Sequence, residues 1–358
     1  MWLPLFLACT AAHPPAPTDS AAPADTAAAP EFLISGAQIV GLGDADILVR
    51  DGVIVSVGDT PDVTTPTIVP AEGRWIVPAF IDSHVHIVYR PVPHAMAAGG
   101  IAAAVDLAAP TSIFSTDTGP LRVTAAGPMV TAMGGYPTLS WGSGGYGLEC
   151  AGADQAAQAV TDLHGMGAGV IKLPVTGGNQ LNFAALLAAA NRAHELDLKV
   201  ASHATSDATA MVAATAGVDV LAHTPTSPMS DTTLDAFADR AVITTLVAFG
   251  NGSVTRANLI ALRDRGAVVL YGTDQGNTNP QGILAGEIAA MAQAGMTPAE
   301  ILAAGTSAPA AYWGLTDLGH VQPGYAASFL VLDEDPLLNP MAVTTPVDVY
   351  IDGVRLGP

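Results

Sequence analysis

The sequence predicts a (β/α)8 TIM barrel, an α/β fold, with a small β-sandwich domain formed from both chain ends. Apolar, strand-like runs alternate with helix-like segments over residues 76–320. Short β-rich runs with Asp-Gly turns occur before and after that region. Half of the 358 residues are hydrophobic, so the chain can build a large core of the size that such a barrel needs.

Composition excludes several classes of protein. Acidic residues outnumber basic ones 32 to 12, and the formal net charge is −20. Such a chain cannot present a cationic face that follows phosphates, so we expect no nucleic-acid partner. The apolar content excludes a disordered chain, and two cysteines are too few for a disulfide framework.

The first 30 residues are expected to lie outside the fold. A short apolar run ends at Cys9, and the letters FLAC resemble the lipobox of bacterial lipoproteins, although no basic residue precedes them. Residues 10–30 contain nine Ala and five Pro, a composition typical of a flexible tether. We therefore expect a protein exported to a bacterial cell envelope (periplasm or outer membrane) and lipidated at Cys9. This anchor would be its membrane contact, because no uncharged run is suited to span a bilayer. A tail without function is the alternative.

The two chain ends have similar β-rich sequences. Residues 47–58 form a candidate hairpin with Asp51-Gly52 at the turn, and residues 347–357 form another with Asp352-Gly353. This similarity predicts one composite domain from residues 31–75 and 321–358. Two unrelated hairpins are the alternative.

Between the ends, eight apolar runs predict the barrel strands. They are continuous rather than alternating, as expected for parallel strands that are buried on both faces. A capping box at Thr297–Glu300, with Pro298 at the first helical position, marks the start of one intervening helix. An open doubly wound sheet is the structural alternative, but no GxGxxG opens a helix where that fold needs it. The predicted strands are residues 76–81, 101–107, 121–126, 170–173, 199–202, 218–222, 241–246 and 267–271.

Candidate ligands lie at the ends of these strands. His84 and His86 follow the first strand, and residues two apart in an extended segment point to the same side. Both imidazoles can therefore bind one metal ion. At the ends of strands four, five, six and eight lie, in order, Lys172, His203, His223 and Asp274. Active sites of (β/α)8 barrels are built at that face.

Lys172 is one of only two lysines in the chain. An unpaired ammonium is costly to bury, so a lysine at the end of an apolar strand is solvated at the rim, paired, or used chemically. One chemical use is a carbamate formed with carbon dioxide, which has two oxygens that can bridge two cations.

The ordered set HxH, Lys, His, His and Asp resembles the amidohydrolase superfamily. The segments IVPAFIDSHVHI, GAGVIKLPVTGG and GTDQG are similar to segments of that superfamily, and the resemblance covers residues 32–357. Within that superfamily, the sequence pattern is most similar to those of the imidazolonepropionase-like and Xaa-Pro-dipeptidase-like amidohydrolases.

The resemblance implies a site with two divalent metal ions, by default Zn²⁺. His84, His86 and Asp274 would bind one ion, His203 and His223 the other, and carbamylated Lys172 would bridge them. A metal-bridged hydroxide would attack the C–N bond of an amide, a peptide or a cyclic amide in a small-molecule substrate. Asp274 would be the catalytic residue that carries the proton to the departing amine.

Substrate contacts are less defined by the sequence. Tyr89 and Arg90 follow the HxH strand, and Arg90 could bind a carboxylate or form an ordinary surface salt bridge. Tyr136 lies in a Gly-rich loop over residues 128–150, which is either a mobile lid or a packed excursion. The oligomeric state is left undefined.

Three other functions are open on the sequence alone. A mononuclear deaminase or cyclic-amide hydrolase would use only His84, His86, His203 and Asp274. A lactonase or esterase would use the binuclear site on a C–O bond. A catalytically dead barrel would bind metal without turnover.

Overall fold

The computed structural model describes residues 31–58 and 67–357. The predicted lipobox, Cys9 and the tether lie outside these described residues. Within them, no helix has the length and apolar character to cross a membrane.

In the described ranges the strands are β1 (Phe32–Ile39), β2 (Gly43–Arg50), β3 (Val53–Gly58), β4 (Thr67–Pro70), β5 (Trp75–Pro78), β6 (Phe80–Val85), β7 (Ile101–Asp106), β8 (Arg122–Ala125), β9 (Met129–Ala132), β10 (Gly147–Cys150), β11 (Val170–Pro174), β12 (Lys199–His203), β13 (Val220–Leu221), β14 (Ala241–Ile243), β15 (Val268–Leu270), β16 (Phe329–Leu332), β17 (Asp348–Ile351) and β18 (Val354–Gly357). The helices are α1 (Pro93–Ala98), α2 (Ala153–Met166), α3 (Phe183–Glu195), α4 (Asp207–Thr215), α5 (Asp231–Asp235), α6 (Ser253–Asp264), α7 (Ala285–Ala294), α8 (Pro298–Gly305) and α9 (Ser307–Trp313). Short 3-10 turns cover Thr111–Ser115, Val247–Phe249 and Pro340–Thr344.

The central region is a TIM-barrel-like arrangement of parallel strands. One parallel sheet has the order β6-β7-β8 and another has the order β11-β12-β13-β14-β15. Backbone hydrogen bonds join their edges, from Ser83 N to Tyr271 O (2.9 Å) and from Gly169 N to Ala125 O (3.0 Å). The seven predicted strands between residues 101 and 271 are present, and β9 and β10 form an additional parallel pair that the apolar runs did not predict.

The first predicted barrel strand, residues 76–81, is two strands. β5 pairs with β1 and β16, whereas β6 pairs with β7. The chain leaves one sheet and enters the other at Ala79, which is buried. The residues on both sides of the break, 76–78 and 80–81, are apolar and largely buried, so a continuous apolar run hides the break.

The two chain ends meet in one sheet, as the similarity of their sequences predicts. Its order is β18-β17-β16-β5-β1-β2-β3, with β4 also pairing with β1. The predicted β-sandwich is not confirmed, because these strands are connected by hydrogen bonds into a single eight-stranded sheet. Both Asp-Gly turns are present, and Ala327 bonds to each of them through Gly52 O and Gly353 N.

Helix α8 fixes the base of the strand that carries the HxH motif. Its predicted capping box is present: Thr297 Oγ1 accepts from Glu300 N, and Glu300 Oε2 accepts from Thr297 N. At its other end, Gly305 lies against the buried ring of Phe80, the first residue of β6. A Cβ on Gly305 would lie 2.2 Å from Cε1 of Phe80, so only glycine permits this approach.

We expect Gly305→Ala to lower the free energy of unfolding by roughly 1–3 kcal/mol, because the enclosed Phe80 ring cannot yield space without strain. Gly165→Ala is the matched control, since Gly165 also lies in a helix but a Cβ there meets no atom within 4 Å. The control should gain roughly 0.5–1 kcal/mol from the reduced entropy of the unfolded chain. Urea denaturation measures both, and equal effects of the two substitutions would contradict this packing argument.

Candidate metal centre and active site

His84 and His86 both turn the Nε2 atom of the ring to the same cavity. Nδ1 of His84 donates to the Ala222 carbonyl (2.8 Å), and Nδ1 of His86 donates to the Ala108 carbonyl (3.0 Å). Because a carbonyl only accepts, Nδ1 is the donor in each of these bonds, and Nε2 is the ring nitrogen that each histidine turns to the shared cavity. Both imidazoles are thus oriented as metal ligands by backbone groups behind them.

Asp274 completes a group that can hold a metal ion. One ligand atom from each of His84, His86 and Asp274 lies within 4.8 Å of the others, and all three side chains are buried. Oδ1 of Asp274 is 3.1 Å from Nε2 of His86 and 3.7 Å from Nε2 of His84. Asp274 has a φ of 55°, and its backbone N–H donates to the His84 carbonyl (2.9 Å). This bond positions the ligands from the first and last barrel strands beside each other.

The remaining predicted ligands line the same cavity, which has a volume of about 240 Å³. Lys172 lies in the middle of β11, His203 ends β12, and His223 follows β13 by two residues. The His223 ring centroid is 4.6 Å from that of His84 and 4.8 Å from that of His203. The six predicted ligands therefore share one cavity, although only His84, His86 and Asp274 form the tight group.

Burial sets the protonation of these groups. It lowers the pKa of Lys172 to about 7 and that of His203 to about 4, with nearby positive charge adding to the effect on His203. Burial also holds the pKa of His84 and His223 well below the usual range. Burial alone would raise the pKa of Asp274, but the imidazoles of His84 and His86 hold it well below its usual range. Burial thus favours the neutral imidazole at His84, His203 and His223, and Asp274 is a carboxylate; these are donor forms that metals bind.

Two buried nitrogen atoms of the cavity are available to bind a cation or to carry a group that bridges cations. Nε2 of His84 and Nζ of Lys172 are buried, and neither has a hydrogen-bond partner among the described residues. Leaving such atoms unpaired is expensive, and a metal at the imidazoles and a carbamate on the lysine would satisfy both. The donor set therefore fits a metal centre.

Three buried carboxyls that the sequence analysis did not single out support the site, namely those of Asp82, Asp106 and Glu287. Asp82 accepts from His84 N (3.1 Å), Thr273 N (3.0 Å) and Thr273 Oγ1 (2.5 Å), and thus joins the residues before Asp274 to the HxH segment. Asp106 accepts from the backbone N–H groups of Ile87 and Ala108, flanking the carbonyl that orients His86. The signal for both was an acidic residue in a run that is otherwise apolar.

Glu287 acts on the loop after the seventh barrel strand. Its carboxyl is fully buried and accepts from Leu246 N (2.8 Å) and Val247 N (2.9 Å). This turn carries Phe249, which lines the cavity 4.7 Å from the His223 ring. No repeat or motif marks Phe249, because its position depends on a turn that Glu287 stabilises from another element.

The proposed substrate residues are placed differently from one another. Tyr136 lines the cavity, with its ring 4.8 Å from His203. Tyr89 is largely exposed and packs on Trp141, which does line the cavity. Arg90 is exposed, donates to Asn279, and is not among the lining residues.

The Gly-rich loop packs onto the site. Trp141 Nε1 donates to the Tyr136 hydroxyl (2.9 Å), and the Trp141 ring lies 5.2 Å from Tyr146, which is 7% exposed. Asn179 also donates to the Met133 carbonyl (2.9 Å). Of the two alternatives for this loop, the described contacts favour the packed excursion.

We expect Thr273→Val to weaken metal binding by about 10-fold to 100-fold, because it removes the hydroxyl that ties Asp82 to the segment before Asp274. The exposed helix residue Thr215 offers a matched control, Thr215→Val, which should bind metal as the wild type does. Competition with a fluorescent chelator measures the affinity. An unchanged affinity in Thr273→Val would show that the hydrogen bond between Thr273 and Asp82 does not position the candidate ligands.

The buried Glu287 carboxyl should make stability depend on pH. Burial raises its pKa to about 7, above the 4.5 of a free glutamate side chain. Between these values the unfolded chain releases a proton that the folded chain keeps, so stability falls as pH rises, by at most about 1.4 kcal/mol per pH unit.

Glu287→Gln removes that titration, so the stability advantage of the wild type over this variant should shrink between pH 5 and pH 7. Urea unfolding of the metal-free proteins at both values measures the difference. A difference that does not change with pH would mean that Glu287 is ionised in the folded protein throughout.

Comparison with known proteins agrees with the geometry. The chain is 28% identical over 329 residues to an adenine deaminase from Deinococcus deserti, an alignment that covers 84% of this chain and 56% of that protein. The chain thus spans little more than half the length of this curated relative. Among solved structures, a Xaa-Pro dipeptidase with bound methionine has a TM-score of 0.78 at 18% identity and covers 92% of this chain and 100% of its own.

A putative prolidase from Bifidobacterium longum has a TM-score of 0.77 at 23% identity, with 92% of this chain and 96% of that chain covered. At these identities the two structures support the fold alone. The sequence model described as the amidohydrolase family matches residues 75–356, which include all six candidate ligands. Together with the site geometry, this match shows that the chain belongs to the amidohydrolase family.

Proposed function

We propose that this chain is a metal-dependent hydrolase that cleaves a C–N bond of a small amide, peptide or cyclic amide. In this proposal two divalent ions, by default Zn²⁺, are bridged by a carbamate on Lys172. The observation that carries it is the position of the Lys172 amine, which is buried and unpartnered in the cavity that holds the four histidines and Asp274.

The lysine is suited to carbamate formation. Its lowered pKa, about 7, leaves a large neutral fraction at physiological pH, and only the neutral amine attacks carbon dioxide. The amine nitrogen bonds to the carbon of CO₂ and releases one proton, which leaves an anionic carbamate. This reaction replaces a buried amine that has no hydrogen-bond partner with an anion whose two oxygens can each bind a cation.

Each ligand has a defined part in the proposed reaction. Bound divalent cations supply Lewis-acid activation of water and of the substrate carbonyl. His84 and His86 are held by backbone carbonyls so that Nε2 faces the cavity. Asp274 accepts the proton of the attacking water at a carboxylate oxygen and returns it to the departing amine.

The relatives agree with C–N chemistry of more than one kind. The sequence relative is named an adenine deaminase, and the two structural relatives are named a dipeptidase and a prolidase. A mononuclear deaminase is the second candidate, because His84, His86 and Asp274 form the one compact ligand group among the described residues.

Lys172→Ala separates the two functions. The binuclear proposal expects about two ions per chain in the wild type when bicarbonate is present, and about one in the variant, with activity lost. The control is Lys199→Ala, which removes the other lysine, located over the Tyr312 ring away from the cavity. Elemental analysis measures the metal, and ¹³C NMR with labelled bicarbonate detects the carbamate carbon.

The result that favours the mononuclear deaminase is equally specific. Lys172→Ala would then keep the metal content and turnover of the wild type, and no carbamate signal would appear. Activity assays should include amides, dipeptides and aminopurines, so that either chemistry is detected.

A further inference from the structure

We infer that the substrate is uncharged and carries a flat aromatic or heteroaromatic ring beside the bond that is cleaved. This inference rests on the proposed function, since it assumes that the reaction occurs in the cavity that the candidate ligands line. It names the chemical class of the substrate, which neither the ligand set nor the family match defines.

Aromatic rings flank the candidate ligands on two sides. The Trp141 ring centroid lies 5.1 Å from His86, and the Phe249 ring centroid lies 4.7 Å from His223. Tyr136 lies near His203, at 4.8 Å. A substrate whose carbonyl reaches the ligands must therefore place its adjoining groups among these rings, which attract flat π-systems in stacked or edge-to-face arrangements.

The rings are held before any substrate arrives. Trp141 donates to the Tyr136 hydroxyl and packs on Tyr146, while Phe249 follows the turn that Glu287 stabilises. Side chains that are already ordered lose little entropy on binding, so these three rings bind a ligand of matching shape more tightly. These fixed rings therefore favour a flat ring, which can stack on them or meet them edge to face, over a puckered saturated ring of the same carbon number.

The described lining of the cavity offers no free cationic side chain for a substrate carboxylate. Among its lining residues, Lys172 is the one cationic side chain, and the proposed function uses it as the metal bridge. The arginines of the described chain bond elsewhere, and Arg90, the nearest in sequence to the HxH motif, donates to Asn279 at the surface. Burying an unpaired carboxylate is very costly, and the net charge of −20 further repels an anion.

The Tyr136 hydroxyl can donate a hydrogen bond to a neutral substrate. The Tyr136 hydroxyl oxygen accepts from Trp141 Nε1, so its own O–H proton remains for a neutral acceptor such as a carbonyl or ring nitrogen. The cavity volume, about 240 Å³, is below the roughly 300–1,000 Å³ of sites for drug-sized ligands. One small ring with its amide fits this space better than an extended peptide.

Three matched amides test the inference without requiring turnover. Benzamide is flat and neutral, cyclohexanecarboxamide is neutral but puckered, and 4-carbamoylbenzoate is flat but anionic. Ligand-observed NMR titration of the wild-type protein, in metal-loaded and metal-stripped forms, gives the three dissociation constants. We expect benzamide to bind at least about threefold tighter than the cyclohexane compound and at least about tenfold tighter than the anion.

Variants assign the preference to the aromatic wall. Trp141→Leu and Phe249→Leu should each bring the benzamide-to-cyclohexane ratio towards one. Phe183→Leu is the matched control, because Phe183 is 46% exposed on α3 and is not among the residues that line the cavity, and its ratio should equal that of the wild type. Trp141→Arg should improve binding of 4-carbamoylbenzoate by supplying the missing cation.

Two outcomes would overturn the inference: equal affinity for the flat and puckered amides, or binding of the anion as tight as that of benzamide. Elemental analysis of the same samples reports on the proposed function separately. A protein that retains no metal but prefers benzamide would refute the metal-dependent mechanism and keep the inferred ligand class. A metal-loaded protein that binds the flat and puckered amides equally would keep the metal-dependent mechanism and refute the inferred ligand class.

Discussion

The constraint on which the rest of the site depends is the cost of burying basic nitrogen atoms in a strand interior. Lys172 is 1% exposed in the middle of β11, where a charged ammonium without a partner would destabilise the barrel. Burial therefore lowers its pKa to about 7, and the same burial lowers the pKa values of His84, His203 and His223. Burial of uncharged nitrogen atoms costs stability, but the same atoms are available to bind a metal ion.

This cost explains why the surrounding polar groups are fixed so tightly. Every ligand on the first and last barrel strands is oriented by a group behind it: Ala222 and Ala108 carbonyls for the histidines, and the Asp82–Thr273 bonds for the segment before Asp274. In a barrel the strand ends are close, so a short side chain from one strand can hold the backbone of the next. The fold thus supplies both the convergence of the ligands and the partners that aim them.

The candidate ligands could be predicted from the sequence because strand ends leave a local signature. His84 and His86 have the two-residue spacing of an extended segment, and Lys172 interrupts an apolar run. The break between β5 and β6 could not be predicted, since the end of β5 and the start of β6 form one apolar run although they belong to different sheets. Phe249 was equally hidden, because its place depends on Glu287, nearly forty residues further along the chain.

The same distinction accounts for the difference between Arg90 and Trp141 as substrate contacts. Arg90 is close to the HxH motif in sequence, but the chain turns after His86, where its carbonyl accepts from Tyr89 N and Arg90 N, and the arginine faces the surface. Trp141 is more than fifty residues away, yet its loop folds back so that the indole lies against His86. Sequence proximity predicts ligands that share a strand, whereas the walls of the cavity come from loops whose packing decides their direction. In the proposed enzyme, specificity would therefore come from the tertiary contacts of aromatic side chains, whereas the positions of the candidate ligands follow from the periodicity of the strands.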